Sequence, residues 1–97
     1  MAGKDDPTGL FFYGIQHCDL DRVKSAIKLG AKINTQYERG LPYASKIGCL
    51  DIVKYLAEER GEDIHINKDE AIKEAIANRH YDVIRYLFIK GARPPKP

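Results

Sequence analysis

Cys49-Leu50-Asp51-Ile52-Val53-Lys54 is the stretch on which the reading of this chain turns, because the chain contains it three times over. Its counterparts are Asp19-Leu20-Asp21-Arg22-Val23-Lys24 upstream and His80-Tyr81-Asp82-Val83-Ile84-Arg85 downstream. Val23, Val53 and Ile84 are spaced 30 and 31 residues apart, and the segments end at Gly30, Gly61 and Gly91, spaced 31 and 30. Two independent markers that keep one period define an internal repeat, and the repeat governs how every other feature is read.

Each copy predicts a helix. Leu20-Val23-Ala26-Ile27, Leu50-Val53-Leu56-Ala57 and Tyr81-Ile84-Leu87-Phe88 place apolar residues at i, i+3, i+6 and i+7, which paints one stripe on a 3.6-residue helix. Asp21, Asp51 and Asp82 fall in the first turn, where the positive end of the helix dipole favours them, and each helix stops at glycine.

A shorter helix precedes each of these. Asp6-Pro7 reads as a cap and a first helical residue ahead of Leu10-Phe11-Phe12-Tyr13-Gly14-Ile15. In the middle copy Pro42 is tolerable only in a first turn, so that helix starts at about Arg39 to Leu41. In the third, Asn67 and Glu70 read as a capping box opening Ala71 to Ile76. Gly14, Ala44 and Ala75 align, and a small residue repeated at one place predicts close helix approach. Residues 31–37 and 62–67 read as turns or brief extended fingers.

The 97 residues are 43% apolar and 31% charged with a formal charge of +2, the composition of one domain with no room for a second catalytic lobe. No stretch approaches the roughly 18–20 apolar residues of a membrane span. The start, Met1 to Asp6, lacks the apolar core of a signal peptide. Cys18 and Cys49 are too few for a disulfide scaffold, so reduced thiols and a cytoplasmic setting are expected.

Helix, turn, helix, Gly-Ala and finger, repeated at about thirty residues, resembles the ankyrin repeat. The likeness is carried by Tyr43-Ala44-Ser45-Lys46-Ile47-Gly48-Cys49-Leu50-Asp51-Ile52-Val53-Lys54-Tyr55-Leu56, with Gly30-Ala31 and Gly91-Ala92. It implies an all-α fold, an ankyrin-repeat solenoid of about three helix-turn-helix units with shortened β-finger loops. The units would be residues 6–33, 34–66 and 67–92 of one domain, 1–92, with a Pro-rich tail at 93–97. The period is shorter than the usual 33. The family's Thr-Pro-Leu-His opening is replaced by Arg39-Gly40-Leu41-Pro42 and Glu70-Ala71-Ile72-Lys73, and His80 follows Arg79 where a Gly is usual. The form with Asp-Glu-Ala before one helix and Val-Lys-Tyr-Leu in another is similar to arrays in giant DNA viruses. In such a stack each unit lends a wall to the next. Arg22, where Ile52 and Val83 stand in the other copies, reads as an end cap, and Ile89 is read as packed by the Pro-rich tail, with a free surface for a partner as the alternative.

No catalytic constellation emerges. His17 and Cys18 are adjacent, so their side chains diverge by about 100° on a helix end, and Cys49 reads as a structural thiol. His17, His65 and His80 sit at non-equivalent places, so no metal or other cofactor is expected, and His80 is read as satisfying backbone groups in its own turn. The eight glycines are scattered, which excludes a phosphate-cradling loop. Lys24, Lys54 and Arg85 form a basic row, but Asp21, Asp51 and Asp82 run beside it. Ordinary ion pairs, not a nucleic-acid surface, are expected there, with Tyr55 and Tyr86 partly packed between the rows.

The likeness to ankyrin arrays implies a non-enzymatic protein-interaction module that binds or masks a partner protein by its concave face. Mapped residue by residue, that face comprises Gln16 and His17, Lys46 and Ile47, and Asn78 beside Ala77, with Gln36, Tyr37 and Glu38 from the first finger and Asn67 and Lys68 from the second. Tyr37 is either an aromatic anchor or a ring folded over its own finger, and Ile47 either a contact residue or a singly exposed apolar one. The competing expectation is a self-associating solenoid joined through Ile89 and the aromatics Phe11 and Phe12. The chain is expected to be a monomer or weak homo-oligomer, without nucleic-acid or membrane partners.

Overall fold

The computed structural model describes residues 6–95, so the first five residues of the leader reading and Lys96-Pro97 of the tail lie outside it. Six helices form three pairs. The first is α1 (Thr8–Gln16) with α2 (Leu20–Lys28), and the second is α3 (Gly40–Ile47) with α4 (Leu50–Lys54), which runs on into a π-helical turn, Tyr55–Glu59. The third is α5 (Ile66–Ala77) with α6 (Tyr81–Ile89). The inner helices α1, α3 and α5 pack side by side, with α2, α4 and α6 as an outer layer, in a body of 47 × 24 × 22 Å.

The apolar stripes explain this stack. Phe11, Ile15, Leu41, Ala44, Ile72 and Ala75 of the inner helices and Val23, Ala26, Ile52, Val53, Leu56, Val83 and Leu87 of the outer ones form one buried cluster. Gly14 lies where α1 and α2 meet most closely: a Cβ there would be 3.0 Å from Val23 Cγ2. At the start of α1, the Asp6 carboxylate accepts the Thr8 N–H at 3.0 Å, and that bond holds it below its ordinary acid range. The third stripe is incomplete. Tyr81 and Phe88 are 72% and 54% exposed, whereas their counterparts in the first two repeats, where another unit follows, are half-buried.

The two spacings, 30 and 31, have a local cause. Twelve residues separate Cys49 from Gly61, but eleven separate Asp19 from Gly30 and His80 from Gly91. The second outer helix therefore carries one extra residue, and the π-helical turn Tyr55–Glu59 is where it is accommodated.

The fingers differ from each other. The first is a tight hairpin closed by an antiparallel bridge between Asn34 and Arg39, with the Thr35 hydroxyl accepting the Glu38 N–H at 2.9 Å. The second has no bridge among the described residues. Instead Asn67, Lys68 and Asp69 are three consecutive residues in the left-handed region, with φ of 55°, 59° and 61°. Each such residue costs about 1–2 kcal/mol, and the contact of His65 Nδ1 with Asp69 Oδ1 at 2.6 Å ties the turn together. The capping-box reading is corrected accordingly. Asn67 Nδ2 donates to Glu70 Oε1 at 2.8 Å, a side-chain pair, and regular helix begins only after Asp69.

Three further expectations are overturned. Cys18 and Cys49 are not free thiols but a disulfide, with Cα atoms 5.4 Å apart. Ile89 is 72% exposed, and Arg93 to Pro95 of the tail are themselves exposed and leave it uncovered. No ion pair joins Lys24, Lys54 or Arg85 to the aspartates beside them among the described residues. Asp51 and Asp82 accept backbone N–H groups, while Lys24 Nζ lies 5.1 Å from the Tyr55 ring centre and Lys54 Nζ 5.8 Å from that of Tyr86. A cation over an aromatic face holds its place where an exposed carboxylate gives little.

Tyr86 and Tyr55 are half-buried, as expected, and the Tyr86 hydroxyl donates to Glu58 Oε2 at 2.6 Å. Burial, reinforced by that carboxylate, raises the Tyr86 phenol above its ordinary range. The neutral phenol is thus favoured in the folded state. Its contribution to stability is complete below the unfolded value of about 10 and is lost as pH rises through the folded one. Tyr86→Phe is expected to remove one late-ionising phenol from an alkaline absorbance titration; an unchanged curve would contradict this.

Candidate partner-binding face

The inner helices end in a repeated turn whose middle residue is left-handed: Cys18 with φ 52°, Gly48 with φ 94° and Arg79 with φ 59°. The next residue in each repeat, Asp19, Cys49 or His80, starts the outer helix. Stacking brings the left-handed residue of one repeat beside the starting residue of the next. At the second junction the His80 ring lies against Gly48, where a Cβ would be only 2.4 Å from Nδ1, and His80 Nε2 bonds the Lys46 carbonyl at 2.9 Å. His80 thus satisfies the preceding repeat, not its own turn. At the first junction the same two positions hold Cys18 and Cys49, joined covalently, and Cys49 Sγ lies 3.2 Å from the Ile15 carbonyl oxygen.

These two links fix the ends of the inner helices in a row. Gln16, His17, Lys46 and Asn78 on that row are exposed, and Ile47 is half-buried and packed against the core. The His17 ring packs against Tyr13 at 4.3 Å between ring centres, tilted by 43°, and Asn78 Nδ2 donates to the Glu74 carbonyl at 2.8 Å. Gln36, Tyr37, Glu38, Asn67 and Lys68 form a second row at the fingers. It lies at the other end of the inner helices, about 12 Å away, the length of the eight-residue α3. Tyr37 is 87% exposed, so its ring is not folded over its own finger.

The finger row is also cross-linked. Asn34 Nδ2 donates to Glu62 Oε1 at 3.0 Å, joining the two fingers, and Arg39 Nη1 lies 3.9 Å from Glu70 Oε1. Neither pair is visible in the sequence without the stack, and nor is the disulfide. Cys18 stands at the place of Gly48 and Cys49 at that of His80, two places that meet only once the repeats are stacked.

Among the described residues no three His, Cys, Asp or Glu side chains converge on one point. No described helix is long and apolar enough to cross a membrane. The geometry offers two fixed rows of polar and aromatic side chains, the surface of a helical repeat scaffold. The chain belongs to the ankyrin repeat family: the family model for ankyrin repeats, three copies, matches residues 11–96. It is 41% identical over 59 residues, 59% of this chain, to an ankyrin repeat and KH domain-containing protein of Caenorhabditis briggsae, and it spans only 2% of that protein's length. No solved structure matches. The likeness to giant-virus arrays finds no support in these comparisons.

Proposed function

We propose that the chain is a non-enzymatic module that binds a partner protein across its two rows, occupying or masking a surface on that partner. The observation that carries this reading is Tyr37, a ring 87% exposed at the tip of a finger that is itself closed by a bridge and by Thr35. An amphipathic aromatic held out on a rigid support is a favoured interface anchor. The face would bury about 600–800 Å² of each partner, at or below the standard size. A cytoplasmic site of action is part of the proposal only with the cysteine bridge open, since persistent disulfides belong to oxidising surroundings.

Affinity capture with the intact chain, repeated with Tyr37→Ala and Lys46→Glu, tests the assignment. Tyr37→Ala is expected to weaken capture by about tenfold or more while leaving the melting temperature in place. If both substitutions leave every captured protein unchanged, the face is misassigned.

The exposed outer face of α6 favours a second reading, self-association. Ile89 and Tyr81 are both 72% exposed beside a hollow of about 480 Å³ between α4 and α6. The complementary surface is weaker than the sequence suggests, because Phe11 is fully buried and Phe12 half-buried. Light scattering over a concentration series separates the two readings: a strict monomer removes self-association.

A further inference from the structure

The two sulfurs of the bridge are not equally reachable. Cys18 is exposed on the left-handed turn, whereas Cys49 is 3% exposed, inside the core cluster at the start of α4. An attacking thiolate must reach one sulfur in line with the bond while the other departs, and only Cys18 offers that approach. The departing sulfur has a place prepared for it. As a thiol, Cys49 can donate its proton to the Ile15 carbonyl oxygen, 3.2 Å from Sγ, with no movement of α1 or α4. That contact parallels, one residue earlier along the inner helix and in a weaker form, the bond from His80 to the Lys46 carbonyl at the neighbouring junction, where no covalent link exists.

We propose that Cys18 is a thiol-exchange site for small-molecule thiols of the glutathione kind, with Cys49 as its buried leaving and resolving partner. The inference is independent of the partner-binding reading. In the first step the small thiol, as thiolate, forms an S–S bond to Cys18 Sγ. The Cys18–Cys49 bond breaks, and Cys49 Sγ takes the electron pair and the proton that the attacking thiol gave up. The products are a mixed disulfide on Cys18 and a free Cys49 thiol. A second small thiol attacks the adduct on its non-protein sulfur, releasing the small-molecule disulfide and leaving Cys18 reduced. In reverse, a small-molecule disulfide oxidises Cys18 to the mixed disulfide, and Cys49 expels the small thiol to close the bridge. The first junction thereby passes between a covalent and a hydrogen-bonded state while the helices remain stacked.

The experiment treats the full oxidised chain with graded reduced glutathione, quenches in acid, alkylates, and maps adducts by peptide mass spectrometry, with far-ultraviolet circular dichroism recorded in parallel. The expected result is glutathione on Cys18, free thiol on Cys49 and an unchanged helical signal. In separate samples Cys49→Ser is expected to take up glutathione from its disulfide at least ~10-fold faster than Cys18→Ser, whose remaining thiol is shielded until urea is added. Adducts on Cys49, an even split between the two sulfurs, exchange only in denaturant, or loss of helix on exchange would each overturn the proposal. Mapping of the unsubstituted chain decides the matter if either variant fails to fold.

Discussion

Reducing the Cys18–Cys49 bridge is expected to lower the melting temperature by roughly 10–20 °C while leaving the chain folded at room temperature. The bridge joins residues 31 apart, and closing a loop of that length withdraws about 3–4 kcal/mol of entropy from the unfolded chain. For a domain of this size each kcal/mol moves the midpoint by about 4–8 °C, and the bond from the freed Cys49 thiol to the Ile15 carbonyl returns part of the loss. A small domain has about 5–15 kcal/mol in total, so the fold survives with a thinner margin. Thermal melts with and without a reductant, and of Cys18→Ser, check this. Equal midpoints would mean that the bridge adds nothing to the stack.

Gly48→Ala is the second large effect, about 2–3 kcal/mol of destabilisation. Part is backbone: Gly48 has φ 94°, where a side chain costs about 1–2 kcal/mol. The rest is the loss of the His80 link, because the added methyl would lie 2.4–2.7 Å from the imidazole, whose far nitrogen is bonded to the Lys46 carbonyl. His80→Ala alone removes only that link and should cost about 1 kcal/mol. The two losses overlap, so the double variant is expected to be less unstable than the sum of the singles, a signature of direct coupling. Urea denaturation of the four proteins measures it; strict additivity would show that ring and glycine do not act together.

The helical stack was legible in the sequence because its cause is local. Val23, Val53, Leu56 and Leu87 recur at helical spacing, and burial follows from that spacing. Pro42 likewise fixed the start of α3, observed at Gly40. What the sequence hid depends on contacts between repeats or on backbone regions that residue type does not announce. Asn67, Lys68 and Asp69 carry no glycine to signal a left-handed turn, and Asn67 beside Glu70 has the composition of a capping box without its geometry. The Cys18–Cys49 pair was hidden because its spacing is one residue longer than the first repeat interval, so that aligned columns keep the two cysteines apart. Of the candidate face, Gln36 and Lys46 are exposed where the pattern placed them, Tyr37 stood open between two readings until the structure showed its ring exposed, and Ile47 is half-buried against the core instead of singly exposed.

The wide turn at Tyr55–Glu59 sets a rule for how such a chain tolerates changes of length. A whole residue has been absorbed inside one outer turn, and α5 still stacks against α3 and still ends where His80 can reach back. At this turn the extra residue is contained where it arises: Leu56 stays buried, and the bond from His80 to the Lys46 carbonyl is kept on the inner side.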